Sequence, residues 1–411
     1  MKRLPLFITL TLNLLFCQST WAIGPRNVTS GGAAVKWGSM PITVNLESDL
    51  VVRGKNVAPL VSNALTTWVD LTESDVAITQ GTLGVAVDNT NVCDYLFDSS
   101  ACPSGPTNDG KNPLVIDADG SIAGRFFGTG NKFTTLGFAS IISFSATTGA
   151  AVRGEAVFNA SCLNTVEVSG CTALSLSFSD NDFTSFIVHE MGHFLGLDHS
   201  QVNLTEATDK DSSNDSLINT MFPTFIVGNG ANFKVPKRDD QVALAQLYPN
   251  STFTANTWTI SGNIYQAGGT TGLQCANVIA RNASSPKVDA ICALSGDLAT
   301  ANSSNGNFTI PGLTAGSAYA ITVEPIGSGF TGASGYTPCR GGSTGESAPP
   351  SFTALTSTST YTGSAGDTKT VNCTIGGDCT GGTSGSSGSS GSGGSGGGTE
   401  SATGGCSKMS N

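Results

Sequence analysis

Apolar residues recur along this chain with two different periods, and the change of period divides it. Val57, Leu60, Val61, Ala64, Leu65 and Trp68 stand three and four apart, the spacing of one helix face, and Pro59 is tolerated in a first turn. Phe183, Ile187, Met191, Phe194 and Leu195 form a second helical stripe, with Asp180, Asn181 and Asp182 as N-cap candidates just upstream. From Thr257 onward the period falls to two. Residues 259–265 and 276–280 alternate like half-buried strands with turn residues between them, and a late turn and strand at 366–371 carries the pattern to 378. Residues 379–411 are nearly all Gly, Ser and Thr, too poor in apolar surface to fold, and are expected to form a disordered tail.

The first 22 residues follow a third pattern. Lys2 and Arg3 precede an apolar stretch from Leu4 to Phe16, and Thr20-Trp21-Ala22 follows as a cleavage site, so the segment reads as a secretory signal. The stretch is too short to span a bilayer and nothing later replaces it, so no transmembrane segment is expected. Bulky Phe16 weakens a lipoprotein reading of Cys17. Composition then narrows the partners. The 411 residues carry 19 Lys and Arg against 30 Asp and Glu, a formal charge of −11 that becomes −13 without Lys2 and Arg3. An acidic chain of this kind is not expected to bind nucleic acid.

Ten of the eleven cysteines lie beyond the signal, and export would pair them. Cys93 with Cys102 and Cys162 with Cys171 are close enough in sequence to staple loops, and Cys275 with Cys292 is expected as a third bridge. The partners of Cys339, Cys373, Cys379 and Cys406 stay open.

The candidate chemistry is concentrated in one place. All three histidines fall in the run His189-Glu190-Met191-Gly192-His193-Phe194-Leu195-Gly196-Leu197-Asp198-His199. His189 and His193, four apart, share a helix face and can reach one metal ion. His199 would point away on a continued helix, so the helix must end before it. Gly196 permits that, because glycine takes positive φ without steric cost. Three neutral nitrogens with a fourth position open describe a catalytic Zn²⁺ site, and Glu190 suits the general base beside it. A bare H-E-x-x-H arises by chance, but the added Gly196 and His199 complete a longer pattern.

That pattern, H-E-x-x-H-x-x-G-x-x-H, resembles the signature of the metzincin zinc peptidases, and His193 through Ser200 is similar to the matrixin version. Asn219-Thr220-Met221-Phe222-Pro223 resembles the matrixin Met-turn, in which Met221 lies beneath the zinc ligands. The resemblance covers residues 34–250. It implies an α+β catalytic domain with a twisted, mostly parallel sheet, an antiparallel edge strand and three main helices. Within it, 37–44 resembles the opening strand, 238–248 the closing helix and 136–139 the edge strand along which a substrate lies. Gly137, Phe138 and Ala139 are therefore expected to bind substrate, together with Pro223 and Phe225 in the wall of an apolar pocket for the residue after the scissile bond. With no histidine to spare, one zinc is expected and not two. Asp117 and Asp119 are candidate oxygen ligands for Ca²⁺, although Asp and Gly also gather in turns for backbone reasons.

Residues 306–313 and 319–325, with the strands before them, resemble the carboxypeptidase regulatory-like domain, a transthyretin-like all-β sandwich. The expected organisation is thus a signal (1–22), a zinc peptidase domain (23–250), a β-sandwich (251–378) and a Gly/Ser tail (379–411). The sandwich is a spacer, a stabilising module or a binder of a surface or polymer. Gly404-Gly405-Cys406 resembles bacterial sorting signals but lacks their apolar helix and basic end, so cell-surface association would rest on Cys406 alone. The expected function is a secreted zinc endopeptidase that hydrolyses extracellular proteins through a zinc-activated water and Glu190. The rival is a secreted adhesin or matrix-binding protein with a vestigial metal domain. That rival would be favoured by loss of Glu190 or a ligand, and neither is lost.

Overall fold

The structure, a computed structural model, describes residues 24–385 except 98–100, 108–109, 165–167, 175, 210, 227, 298, 301–302, 328–338 and 340–348. The segment expected to be a secretory signal, Cys17, Cys406 and the residues beyond 385 expected to form the tail lie outside the described residues.

The first half is a mixed α/β unit. Strands β1 (Lys36–Trp37) and β2 (Ile42–Leu46) precede a small hairpin of β3 (Val51–Val52) and β4 (Lys55–Asn56). Helix α1 (Ala58–Val69) follows, burying Val61, Ala64, Leu65 and Trp68 from the stripe read in the sequence, with proline in its first turn. Next come β5 (Ile78–Thr82), β6 (Pro113–Asp117), α2 (Ser121–Phe127), β7 (Gly137–Phe144) and β8 (Ala150–Asn159). The sheet runs β1-β8-β6-β2-β5 with all neighbours parallel, and β7 is added antiparallel to β8. After α3 (Ser169–Ala173) the chain enters α4 (Asp180–Phe194).

Ser179 caps α4, rather than Asp180, Asn181 or Asp182 just after it. Its Oγ accepts from Asp182 N (3.2 Å), while the Asp182 carboxylate accepts from Ser179 N (2.9 Å), a reciprocal capping box. The helix buries Phe183, Ile187, Met191 and Phe194 against the sheet and α1. Short helices α5 (Leu204–Thr208) and α6 (Gly230–Phe233) lead to α7 (Arg238–Leu247) and α8 (Ser251–Asn256).

The second half is all strand. β9 (Thr257–Tyr265), β10 (Ala276–Asn282), β11 (Ala290–Leu294), β12 (Asn307–Thr314), β13 (Ala318–Pro325), β14 (Leu355–Thr362), β15 (Thr368–Thr374) and β16 (Cys379–Gly385) form two four-stranded sheets. Their orders are β11-β10-β13-β14 and β12-β9-β15-β16. Trp258, Ile260, Phe308, Val278, Ile291 and Ile321 fill one core between them. The sheet extends past the expected limit at 378, because β16 pairs with β15 and is tied to it by Cys373–Cys379.

Two of the expected disulfides form, Cys93–Cys102 and Cys162–Cys171. The third does not: Cys275 joins Cys339, and Cys292 is a free, buried thiol. Strand register explains the difference. Cys275 N donates to Ser295 O, whereas Cys292 lies opposite Ile279, four residues further along β10. That offset exceeds the roughly 7 Å Cα separation a disulfide tolerates. No helix among the described residues is long and apolar enough to cross a membrane.

The two halves are joined by more than a linker. Ala243, Leu244 and Leu247 of α7 belong to the core of the first half, while Val242 and Ala245 belong to that of the second. Conversely Ile279, Ala290 and Cys292 of the second half pack into the first core.

Candidate functional site

The three histidines converge at the C-terminal end of α4. His189 and His193 lie one turn apart on the helix, and their ring centroids are 4.8 Å apart. The helix then stops in a Schellman turn: Leu197 N donates to Gly192 O (2.9 Å) and Gly196 N to His193 O (3.0 Å), with Gly196 at φ +97°. This turn returns His199 to the other two rings, with centroids 4.7 Å from His193 and 5.5 Å from His189. One nitrogen from each residue lies within 4.8 Å of the others, the only such group of three or more His, Cys, Asp or Glu among the described residues.

Second partners fix the ring orientations. His189 Nδ1 is 2.7 Å from Thr220 O, and His193 Nδ1 is 2.8 Å from Leu197 O. A carbonyl can only accept, so both Nδ1 atoms carry the proton and both Nε2 atoms keep a lone pair. Burial holds His189 at about 4 and His193 well below its usual range, so both are neutral, the form that ligates metals. The lone pair of His193 Nε2 then faces His199 Nε2 at 3.1 Å. Without a cation, His199 Nε2–H donates to that lone pair; a metal ion would take the place of this proton, which can move to Nδ1. The donor set fits a borderline metal such as zinc.

Glu190 lies between this group and β7. Burial raises its carboxyl to about 7, against the opposing pull of the Arg26 cation and the Ala139 backbone N–H. A Cβ on Gly137 would fall 2.8 Å from Glu190 Cγ, so the strand approaches the helix closely here. Asn159 N donates to Leu136 O (2.9 Å) on the β8 side, while the Ala139 backbone faces Glu190 and Arg26 on the other edge. There its carbonyl accepts from Arg26 Nη1 (2.9 Å). Arg26 itself is anchored by its backbone N–H to Gly196 O (2.8 Å).

A cavity of about 460 Å³ opens beside the triad, with Gly137, His189, Glu190, Phe186, Pro223 and Phe225 in its lining. Phe186, Phe225 and Phe233 form one side of it, with Phe186 and Phe225 edge to face at 4.5 Å, and Thr134, Thr135, Thr220 and Thr224 add polar groups to the lining. Of the expected substrate residues, Gly137, Pro223 and Phe225 therefore gather at one cavity. Ala139 offers only its backbone, its side chain being core. Phe138 departs from the expectation: strand alternation turns it to the opposite face, where it packs on Phe126 and Phe127 at 5.2 Å each.

Met221 is fully buried under the site, and a Cβ on Gly192 would fall 2.3 Å from its sulfur. Two adjacent acids of α7, both wholly buried, hold the surroundings. The Asp240 carboxylate accepts from Thr220 N (3.0 Å) and Met221 N (3.1 Å), which fixes the carbonyl that orients His189. Asp239 accepts from Ser200 Oγ (2.6 Å), just after His199, and from Cys292 N (2.8 Å) in β11. Burial raises Asp239 to about 7 and Asp240 to about 6. Neither acid nor Arg26 was singled out in the sequence. Two adjacent acids in a helix's first turn were the only local sign of the former; Arg26 had none. Asp117 and Asp119 serve backbone roles: their carboxylates accept from Ala123 N (2.8 Å) and Ser121 N (2.9 Å) at the start of α2.

A search with protein-family models finds none that matches the chain, and comparison with curated proteins finds no match either.

Proposed function

We propose that this chain is a secreted zinc endopeptidase of the matrixin-like metzincin type. The observation that carries the reading is the convergence of His189, His193 and His199 beside Glu190, next to β7, whose one strand partner among the described residues is β8. His189, His193 and His199 would hold the ion, two of them already fixed in the ligating tautomer. When bound, zinc supplies Lewis acidity to the scissile carbonyl and to the attacking water. Glu190 takes the proton from that water on its carboxylate and hands it to the leaving amine. A peptide would add as an antiparallel strand to the backbone edge of β7, and at Ala139 it would have to displace Arg26 from the carbonyl. The phenylalanine side of the cavity, Phe186, Phe225 and Phe233, suits an apolar side chain just after the cut bond. Four disulfides among the described residues and the signal-like N-terminus support an extracellular setting.

Incubation of the purified protein with a peptide library, with and without a zinc chelator, tests this. Chelator-sensitive cuts with apolar residues on the primed side are expected. An absence of chelator-sensitive cleavage would sink the reading and favour a binding protein.

A further inference from the structure

The loop that follows His199 is held from the second half of the chain. Gln201 Nε2 donates to Pro325 O (3.0 Å), and Gln201 Oε1 accepts from Gly327 N (2.5 Å). Asn203 Nδ2 donates to Lys287 O (2.7 Å), while Asn203 Oδ1 accepts from Arg281 Nη1 (2.9 Å). Lys287 pairs with Glu206 at 2.8 Å. With Cys292 N on Asp239, whose other oxygen takes Ser200, strands β10, β11 and β13 all reach this loop. His189 and His193 are fixed by the helix that carries them. His199 stands on irregular chain, four residues before Asn203 in the left-handed conformation (φ +61°).

We infer that the two-sheet unit is a clamp that positions the third metal ligand, with Gln201 and Asn203 as positioning residues. The contacts fall two and four residues after His199, the one ligand that no regular element carries. Both side chains bond on donor and acceptor sides, reaching Arg281 in β10, the end of β13 and the loop between β10 and β11, while Asn203 Nδ2 also donates to Leu217 O (3.0 Å) in its own half. A site whose third ligand wanders is competent only for a fraction of the time, and its apparent metal affinity falls by that fraction.

The inference rests on the zinc reading, so its test has two arms in the full-length chain. The variant combines Gln201→Ala with Asn203→Gly; glycine keeps the left-handed backbone while removing the side-chain bonds. Zinc affinity, measured by chelator competition, is expected to fall by about 10–100-fold, as for other outer-shell partners. In metal-free protein, amides of residues 200–206 are expected to exchange hydrogen faster, with those of 180–194 unchanged. Arg281→Ala, which alters only the clamp side, should shift both readouts in the same direction. A variant that binds zinc like the parent, or exchanges like it over 200–206, overturns the clamp. A parent that binds no zinc defeats the peptidase reading instead, and the exchange arm alone then decides the clamp.

Discussion

Glu190 neighbours His189 in the chain, but its surroundings are made by residues far away, and this limits what each residue can reveal. Replacing it with Gln keeps the shape and removes the base. Peptidase activity is expected to fall by about 10²–10⁴-fold with zinc content unchanged, measured by kinetics and metal analysis on one preparation. Full activity would refute the assigned role. Asp239 makes a second prediction. Burial raises its carboxyl to about 7, above the roughly 3.9 of an unfolded chain. The stability it contributes is therefore complete below pH 4 and is lost as pH rises toward 7. Asp239→Asn should flatten that slope in metal-free protein and leave the variant the more stable of the two at pH 8; parallel melting curves across this range would contradict it. The metal-ligand candidates and Glu190 were legible in the sequence because ligand spacing on a helix is local. Asp239, Asp240 and Arg26 were not, because their partners lie tens to more than a hundred residues away.

Elements were legible where one period governed them. The stripes of α1 and α4 match their buried faces, and Gly196 ends α4 as its conformational freedom allows. The cap was less legible, since Asp180, Asn181, Asp182 and Ser179 are all good cap residues and only geometry separates them. Ser179→Ala should cost about 1 kcal/mol of stability in denaturant unfolding. A neutral result would mean that the capping box at Asp182 carries no weight. In β7 a run of apolar residues hid which face each one takes. Pairing with β8 turns Phe138 to the far side and leaves Gly137 beside Glu190. A strand's register cannot be read without its partner.

At the scale of the whole molecule the same limit decides the disulfides. Bridges closing nine residues were readable from proximity, whereas Cys275–Cys339, across 64, needed the sheet. Peptide mapping without reduction should recover Cys275 linked to Cys339, with Cys292 alkylated only after denaturation; a Cys275–Cys292 peptide would contradict the register of β10 and β11. The expected division lay at 250, whereas the period, and with it the backbone, changes from helix to strand at Thr257. The packing ignores it. Helix α7 gives Leu244 and Leu247 to one core and Val242 and Ala245 to the other. Neither half can melt without stripping a face of this helix. Calorimetry should therefore record one heat-absorption peak for the whole chain, and the halves should not be separable as modules that swap between proteins.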